Sequence, residues 1–209
     1  MADGITKRVL SRIEEMGNDF FVAKDFWREG LYEPVSKVLN NLEKKGMITK
    51  VKKGIFCKEE TAQELRKRYP LAIKKAMLAI SRSFGWSIAP HGETALYMLG
   101  FDVPAPEVWG FVITGSTSEI TLGDIPVKVF HRNTREISGI SFTTGMLIQA
   151  LIEIGKDGLD DRMKRKINSL LSKSDKALVK EESKVTIIWI HEMIKEICNM
   201  DNVGGAVQG

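Results

Sequence analysis

The sequence predicts an α+β fold, and three features of the 209-residue chain support this prediction. Residues 31–46 show a helical hydrophobic spacing and run directly into two short strand-like segments. Three stretches rich in β-branched and aromatic residues lie between residues 108 and 131, separated by Gly, Ser and Asp turns. Apolar-periodic segments after residue 143 indicate a terminal helical region. We therefore expect a small N-terminal domain and a mixed α/β C-terminal domain with a small sheet.

Composition narrows the class of protein. A hydrophobic content of 43% suffices for a sizeable core, and no apolar run approaches the roughly 20 residues of a membrane span. The start, MADGITKRVLSRIEEM, lacks the continuous apolar stretch of a signal peptide, so we expect a cytoplasmic protein. Cys57 and Cys198 lie far apart and form no CxxC pair, which disfavours a disulfide framework and a cysteine zinc site.

The positive charge is concentrated near the N-terminus. Residues 1–58 hold twelve Lys and Arg against eight Asp and Glu, whereas the rest of the chain holds 19 of each. The whole net charge of +4 therefore belongs to the first quarter of the sequence. A local positive excess favours a polyanionic partner only weakly, because lysine-rich solvated faces are common.

Residues 5–46 predict helices around a short apolar segment. Ile5, Val9, Ile13 and Met16 recur at helical spacing, and Gly17 suits a helix end. A short segment from Phe20 to Gly30 follows. This segment counts as the second helix, and the third helix begins near Glu33-Pro34, since proline suits a first helical turn. An i, i+3, i+4, i+7 stripe then defines its apolar face: Val35, Val38, Leu39 and Leu42.

Two short strands follow this helix. Lys44, Lys45 and Gly46 supply a basic last turn and a stop. Strands at Met47–Val51 and Ile55–Lys58 then flank the turn Lys52-Lys53-Gly54. Three helices closed by a β-hairpin is the order of a winged helix-turn-helix, in which the third helix enters the major groove and the hairpin, or wing, contacts the DNA backbone.

The predicted recognition helix has a polar face. At about 100° per residue, Lys37, Asn40 and Lys44 lie opposite the apolar stripe, with Ser36 and Asn41 beside them. Asparagine can pair bidentately with adenine, and lysine can bond guanine or phosphate. The wing lysines suit backbone phosphates: Lys50, Lys52 and Lys53. Basic residues of the first helix could add to the same field: Lys7, Arg8 and Arg12. Alternatively, the fold serves as a protein-interaction module or scaffold, and its lysines are merely solvated.

The remaining sequence completes the predicted domain map. Connecting helices occupy residues 59–84, with a break at Pro70. The C-terminal domain spans residues 85–200, with strands at Val108–Thr114, Glu119–Leu122 and Val127–His131. Residues 201–209 are Gly-rich and are predicted to be a disordered tail. The winged-helix domain itself covers residues 1–58.

The order of segments resembles the AbiEi-type antitoxins of type IV toxin–antitoxin systems. The stretch VSKVLNNLEKKGMITKVKKGIF is similar to their N-terminal domain. APHGETALYMLG, VWGFVITG, ITLGDIPVKVFHR and GMLIQALIEIGKDGLDD follow in the order and spacing of their C-terminal domain. The similarity covers about Ile5 to Ile197. It implies a protein whose N-terminal domain binds repeats in its own promoter and represses the operon. The C-terminal domain would counteract a cognate nucleotidyltransferase-like toxin.

The resemblance also implies which residues would contact DNA. The recognition-helix positions are Lys37, Asn40, Asn41 and Lys44, and the wing positions are Lys50, Lys52 and Lys53. The family's wing often carries arginine where this chain has lysine, which binds phosphate as a point charge without bidentate geometry. Double-stranded DNA and the toxin are the implied partners. Direct contact with the toxin and a homodimer on DNA are left open.

The sequence predicts no enzyme, metal or cofactor. His91 and Glu93 lie two residues apart, which does not put them on one helical face. His131 and His191 lie far along the chain, so no metal-ligand spacing emerges. ITGSTS has one glycine and no lysine, unlike a phosphate-binding loop. A catalytic site assembled from residues distant in sequence is the alternative.

Overall fold

The computed structural model describes residues 2–132 and 137–200 and has mixed α+β architecture with small sheets. The chain forms two compact units. Residues up to 86 together with 119–127 form the first, and residues 87–118 together with those from 128 onward form the second. The tail predicted for residues 201–209 lies outside the described residues. Within the described ranges, no helix has the length and apolar character needed to cross a bilayer.

The first unit opens with a helix, a very short strand and a single 3-10 turn. Helix α1 (Ala2–Glu15) buries Val9 and Ile13. Strand β1 (Phe20–Phe21) leads into a 3-10 turn at Ala23–Phe26, where the sequence predicted a helix. Two interactions limit the helical part of this segment to a single turn. Phe20 and Phe21 pair with a later strand, and the Asp25 carboxylate accepts the Val22 N–H at 2.9 Å.

Helix α2 (Tyr32–Lys44) follows the predicted pattern closely. Val35, Leu39 and Leu42 are buried and Val38 is half-buried, so the stripe faces the core. At about 1.5 to 3 kcal/mol for each fully buried aliphatic side chain, the stripe fixes which side of α2 turns inward. The helix ends at Lys44, and the chain turns away at Gly46, whose φ of +70° is costly for other residues.

A three-stranded antiparallel sheet follows. Strands β2 (Thr49–Lys52) and β3 (Ile55–Cys57) form the predicted hairpin, and β1 adds on the other side of β3, giving the order β1-β3-β2. Gly54 has φ +79°, which the tight turn requires. All of β3 is buried, whereas Lys50 and Lys53 are exposed. The Gly123 N–H donates to the Val51 carbonyl at 2.9 Å, which adds a bond at the outer edge of β2.

Two further helices pack within the first unit. Helix α3 (Glu59–Arg66) precedes α4 (Pro70–Phe84), and the break at Pro70 is where the sequence predicts it. The Arg82 guanidinium on α4 bonds Asp25 at 3.0 Å and the Phe20 carbonyl at 2.9 Å. Lys24 donates to the Ser83 carbonyl at 2.6 Å. These bonds fasten α4 to the 3-10 segment that precedes α2.

A second sheet and a short helix follow α4 along the chain. Strand β4 (Ile88–Pro90) and helix α5 (Glu93–Met98) precede β5 (Trp109–Ile113). Strands β6 (Ser118–Leu122) and β7 (Ile125–His131) complete a sheet of order β4-β5-β7-β6. Each of the three predicted strands is present within two residues at either end. Strand β4 escaped prediction because its three residues show no measurable alternation.

Helices dominate the rest of the second unit. Helix α6 (Phe142–Ile154), α7 (Asp161–Leu170), α8 (Lys173–Glu182) and α9 (Ile188–Asn199) follow in order, with a 3-10 turn at Ser183–Val185. Their apolar faces and that of α5 meet in one core. The fully buried residues of this core include Ala95, Leu151, Ile167, Val179 and Ile190.

A carboxylate joins α8 to the start of α6. Glu182 accepts hydrogen bonds from the Ser141 N–H at 2.9 Å, from the Ser141 hydroxyl at 2.7 Å and from the Thr144 hydroxyl. Burial alone would raise the pKa of the Glu182 carboxyl, but these hydrogen bonds outweigh it and hold the pKa below its usual value of 4.5. The negative charge also suits the N-terminal end of α6.

Replacing Glu182 by glutamine should lower the free energy of unfolding by about 1 to 2 kcal/mol, because charge-assisted bonds are lost at a partly buried site. The contribution is present above the unfolded pKa and is lost as pH falls through the lower folded pKa. Urea unfolding followed by circular dichroism at pH 7 and at pH 3 measures both effects. The parent and variant curves should converge at the lower pH.

The matched control is Glu181→Gln. Glu181 pairs with Lys184 at 2.6 Å on an exposed surface. Such pairs contribute less than about 1 kcal/mol. Equal destabilisation by the two variants, or a Glu182→Gln effect that persists unchanged at pH 3, would contradict the capping role.

Candidate nucleic-acid interface

The candidate site is the outward face of α2 together with the β2–β3 turn. Lys37, Asn41 and Lys44 are exposed, and Ser36 and Asn40 are half-buried. The predicted face therefore points to solvent, opposite the buried Val35 and Leu39. Among the residues that the structure describes, none covers Lys37, Asn41 or Lys44.

The candidate residues differ in their present partners. Within residues 2–132 and 137–200, several of these side chains make no hydrogen bond or ion pair: Lys37, Asn41, Lys44, Lys52 and Lys53. Asn40 instead donates its amide N–H to the Ser36 carbonyl one turn earlier, at 2.7 Å. Lys50 pairs with Glu43 at 3.0 Å and lies 5.8 Å from the Phe56 ring centroid.

These differences determine how readily each candidate residue could bind a ligand. Binding by Asn40 or Lys50 requires an existing bond to be exchanged, which reduces the net gain. Asn41 and the free lysines can bind without that cost. Sequence spacing identified the face, but it gave no sign that Asn40 turns back onto its own helix.

The basic residues of α1 are used differently. Arg8 donates to the Glu29 carbonyl at 2.8 Å, which holds the segment entering α2. Arg12 pairs with Glu15 at 2.9 Å. Lys7 is exposed and makes no side-chain bond to any described residue. The first helix therefore supplies one free cation rather than the three that the sequence offered.

The structure also shows exposed apolar residues that sequence reasoning missed. Trp27, Leu31 and Tyr32 lie between the 3-10 turn and the first turn of α2 and are 72%, 80% and 60% exposed. The Arg28 guanidinium lies 4.9 Å from the Trp27 ring centroid. Helical spacing alone signals part of this, because Tyr32 lies one turn before Ser36 on the same face.

The other residues that the sequence raised as site candidates are the three histidines. No group of three or more His, Cys, Asp or Glu side chains in these ranges could hold a metal ion. His91 contacts Gln149 at 3.1 Å and the Phe130 ring, and His131 contacts the Gly115 carbonyl at 2.8 Å. His191 contacts the fully buried Ser183 hydroxyl at 2.9 Å. Each of the three histidines thus makes its own separate polar contact.

Comparison with known proteins identifies the family. Residues 7–179 match the model of a family of unknown function, DUF6088, and the chain belongs to that family. The matched span includes α2 and the whole β2–β3 hairpin. No curated protein matches the chain.

The outward face of α2 should be dispensable for folding. Replacing Lys37, Asn41 and Lys44 together by alanine should change the free energy of unfolding by less than about 1 kcal/mol, because exposed residues give way to a better helix former. Leu39→Ala should cost about 2 to 5 kcal/mol, because it leaves a cavity in the core. Urea unfolding followed by circular dichroism compares the two. Similar losses in both variants would show that the face is structural.

Proposed function

We propose that this protein is a non-enzymatic, sequence-specific DNA-binding regulator that acts on DNA in the cytoplasm. In this proposal residues 1–58 form a winged helix-turn-helix, α2 is the recognition helix and the β2–β3 hairpin is the wing. One observation carries the proposal. Lys37, Asn41 and Lys44 project from α2 without a partner in the described part of the chain, while the stripe on the opposite side is buried in the core.

Cations and amides have separate roles in this proposal. Lys52 and Lys53 at the hairpin turn contact backbone phosphates, which gives affinity for any sequence. Asn41 pairs with an adenine edge, and Lys37 bonds a guanine or a nearby phosphate. Lys44 lies at the C-terminal end of α2, where its charge also suits the helix dipole.

The two engaged residues act as adjustable contacts. The Glu43–Lys50 pair is partly exposed, so a phosphate can replace Glu43 as the partner of Lys50 at small cost. Asn40 can release the Ser36 carbonyl, which keeps its helical hydrogen bond. Both remain candidate DNA contacts that bind after exchange.

The family resemblance extends the proposal to a biological role. An AbiEi-type antitoxin represses its own operon and counteracts a nucleotidyltransferase-like toxin. The segments that resemble the antitoxin's C-terminal domain lie mainly in the second unit. A nucleotidyltransferase-like gene adjoining this one, whose toxicity is relieved by co-expression of this protein, would support that role. Unrelieved toxicity would remove it and leave the DNA-binding proposal intact.

Substitutions should separate sequence reading from general DNA affinity. Lys37→Ala/Asn41→Ala should lose preference for the specific site, at about 1 to 3 kcal/mol for each lost base contact. Lys52→Ala/Lys53→Ala should weaken specific and random DNA alike and reduce the slope of log affinity against log salt by about 2. Gel-shift titrations at several salt concentrations, on the DNA upstream of the gene and on random duplex, measure both effects.

The charge-matched control is Lys156→Ala/Lys173→Ala, which removes two exposed lysines of the second unit. It should bind as the parent does. Absence of binding by the parent at low salt would refute the proposal. Equal weakening by the control and by Lys52→Ala/Lys53→Ala would show that only net charge matters.

A protein-interaction module is the second candidate. Three apolar residues from the end of the 3-10 turn to the first residue of α9 are exposed: Val185 at 63%, Ile187 at 58% and Ile188 at 80%. Such apolar patches often mark protein contacts. A stable co-purifying protein that is lost on Ile188→Asp, together with no DNA shift by the parent, would favour this candidate. A DNA shift that survives Ile188→Asp favours the regulator.

A further inference from the structure

Three large apolar side chains stand in solvent immediately before and at the start of α2. Trp27 is 72% exposed, Leu31 80% and Tyr32 60%. We call these residues the N-terminal apolar patch. These three residues fall within six positions. Single exposed apolar residues are common, whereas grouped ones mark contact surfaces.

Leu31 occupies a position where leucine is unfavourable for the helix. It is the N-cap of α2, with φ −66° and ψ 156°, and it makes no side-chain capping bond. Ser, Thr, Asp or Asn would cap the helix there, and leucine does not. Residues that break a local folding rule without structural gain are expected at functional surfaces.

The patch continues the candidate interface along the helix. Tyr32 precedes Ser36 by four residues and Asn40 by eight, so these side chains share one face of α2. Arg28 lies beside the patch, with its guanidinium 4.9 Å from the Trp27 ring centroid. Tyr32 thus leads along the helix to a hydroxyl and an amide, and Arg28 adds a cation beside the patch. These polar and cationic neighbours fit a nucleic-acid groove better than an apolar protein surface.

We propose that Leu31 and Tyr32 read the C5-methyl groups of thymines in the DNA site, and that Trp27 and Arg28 lie against the adjoining backbone. This inference rests on the proposed function, with α2 in the major groove. The N-terminal residues of a recognition helix contact base edges there. The thymine methyl is the apolar group that this groove displays, and it is recognised by apolar contact.

The test removes the methyl group from the DNA and the leucine from the protein. A binding site is first taken from the DNA upstream of the gene or selected from a random duplex library. Each thymine is then replaced by deoxyuridine, which lacks only the C5-methyl. The parent should lose affinity by about fourfold for each methyl that it buries. Leu31→Ser should bind the thymine site more weakly and show no further loss with deoxyuridine at the thymine that Leu31 contacts.

Stability separates a lost contact from a damaged fold. Leu31→Ser introduces a favourable N-cap, so its melting temperature should equal or exceed that of the parent while its affinity falls. Tyr32→Ala is the second variant and should lose its response to a neighbouring thymine. Leu71→Ser is the control, because Leu71 is 60% exposed on α4, and its affinity should stay that of the parent.

The outcomes distinguish this inference from the proposed function. DNA binding by the parent that is indifferent to every deoxyuridine, with Leu31→Ser binding equally well, overturns the inference and leaves the DNA-binding proposal standing. Unchanged DNA affinity in Leu31→Ser, together with loss of a bound protein, also overturns it and assigns the patch to a protein partner. No DNA binding by the parent overturns both proposals.

Discussion

The burial of one apolar stripe on α2 determines how this helix is oriented in the N-terminal unit. Val35 and Leu39 are fully buried in a core shared with Val9 of α1 and with Phe21 and Phe26. Interiors are close-packed, so rotating α2 would expose these side chains and leave cavities. The same constraint decides which polar side chains face solvent. The candidate interface is therefore a consequence of core packing and not of surface charge alone.

Hydrogen bonds around this core hold the segments on either side of α2. Arg82 binds Asp25 and the Phe20 carbonyl, and Arg8 binds the Glu29 carbonyl. The buried side chain of Phe56 anchors the β2–β3 hairpin to this core. A surface held in this way loses less conformational freedom when it binds a ligand than a loose one does. Lysine carries its charge on a long stem with four rotatable bonds, which suits contact of Lys52 and Lys53 with phosphates at varied positions.

Where one residue pattern has one physical meaning, the sequence predicts the structure well. The sequence predicts the stripe in α2, the stop at Gly46 and the hairpin at Gly54. Apolar spacing and positions that need φ > 0 constrain these features strongly. Two-residue β1 carries no periodicity, and the predicted middle helix is a 3-10 turn. The Asn40–Ser36 bond and the exposure of Leu31 depend on side-chain conformation and packing, which the sequence pattern does not specify. The same limit applies to the bonds that Glu182 makes to Ser141 and Thr144, 38 or more positions away.

The central claim is that nucleic acid contacts the outward face of α2 and the adjoining hairpin. Amide chemical shifts of the full-length, nitrogen-15-labelled protein, recorded during titration with duplex DNA, test it most directly. The largest changes should fall in residues 31–44 and 49–54, while the shifts of α9 should stay unchanged. Changes centred on residues 185–199, with α2 unaffected, would contradict it.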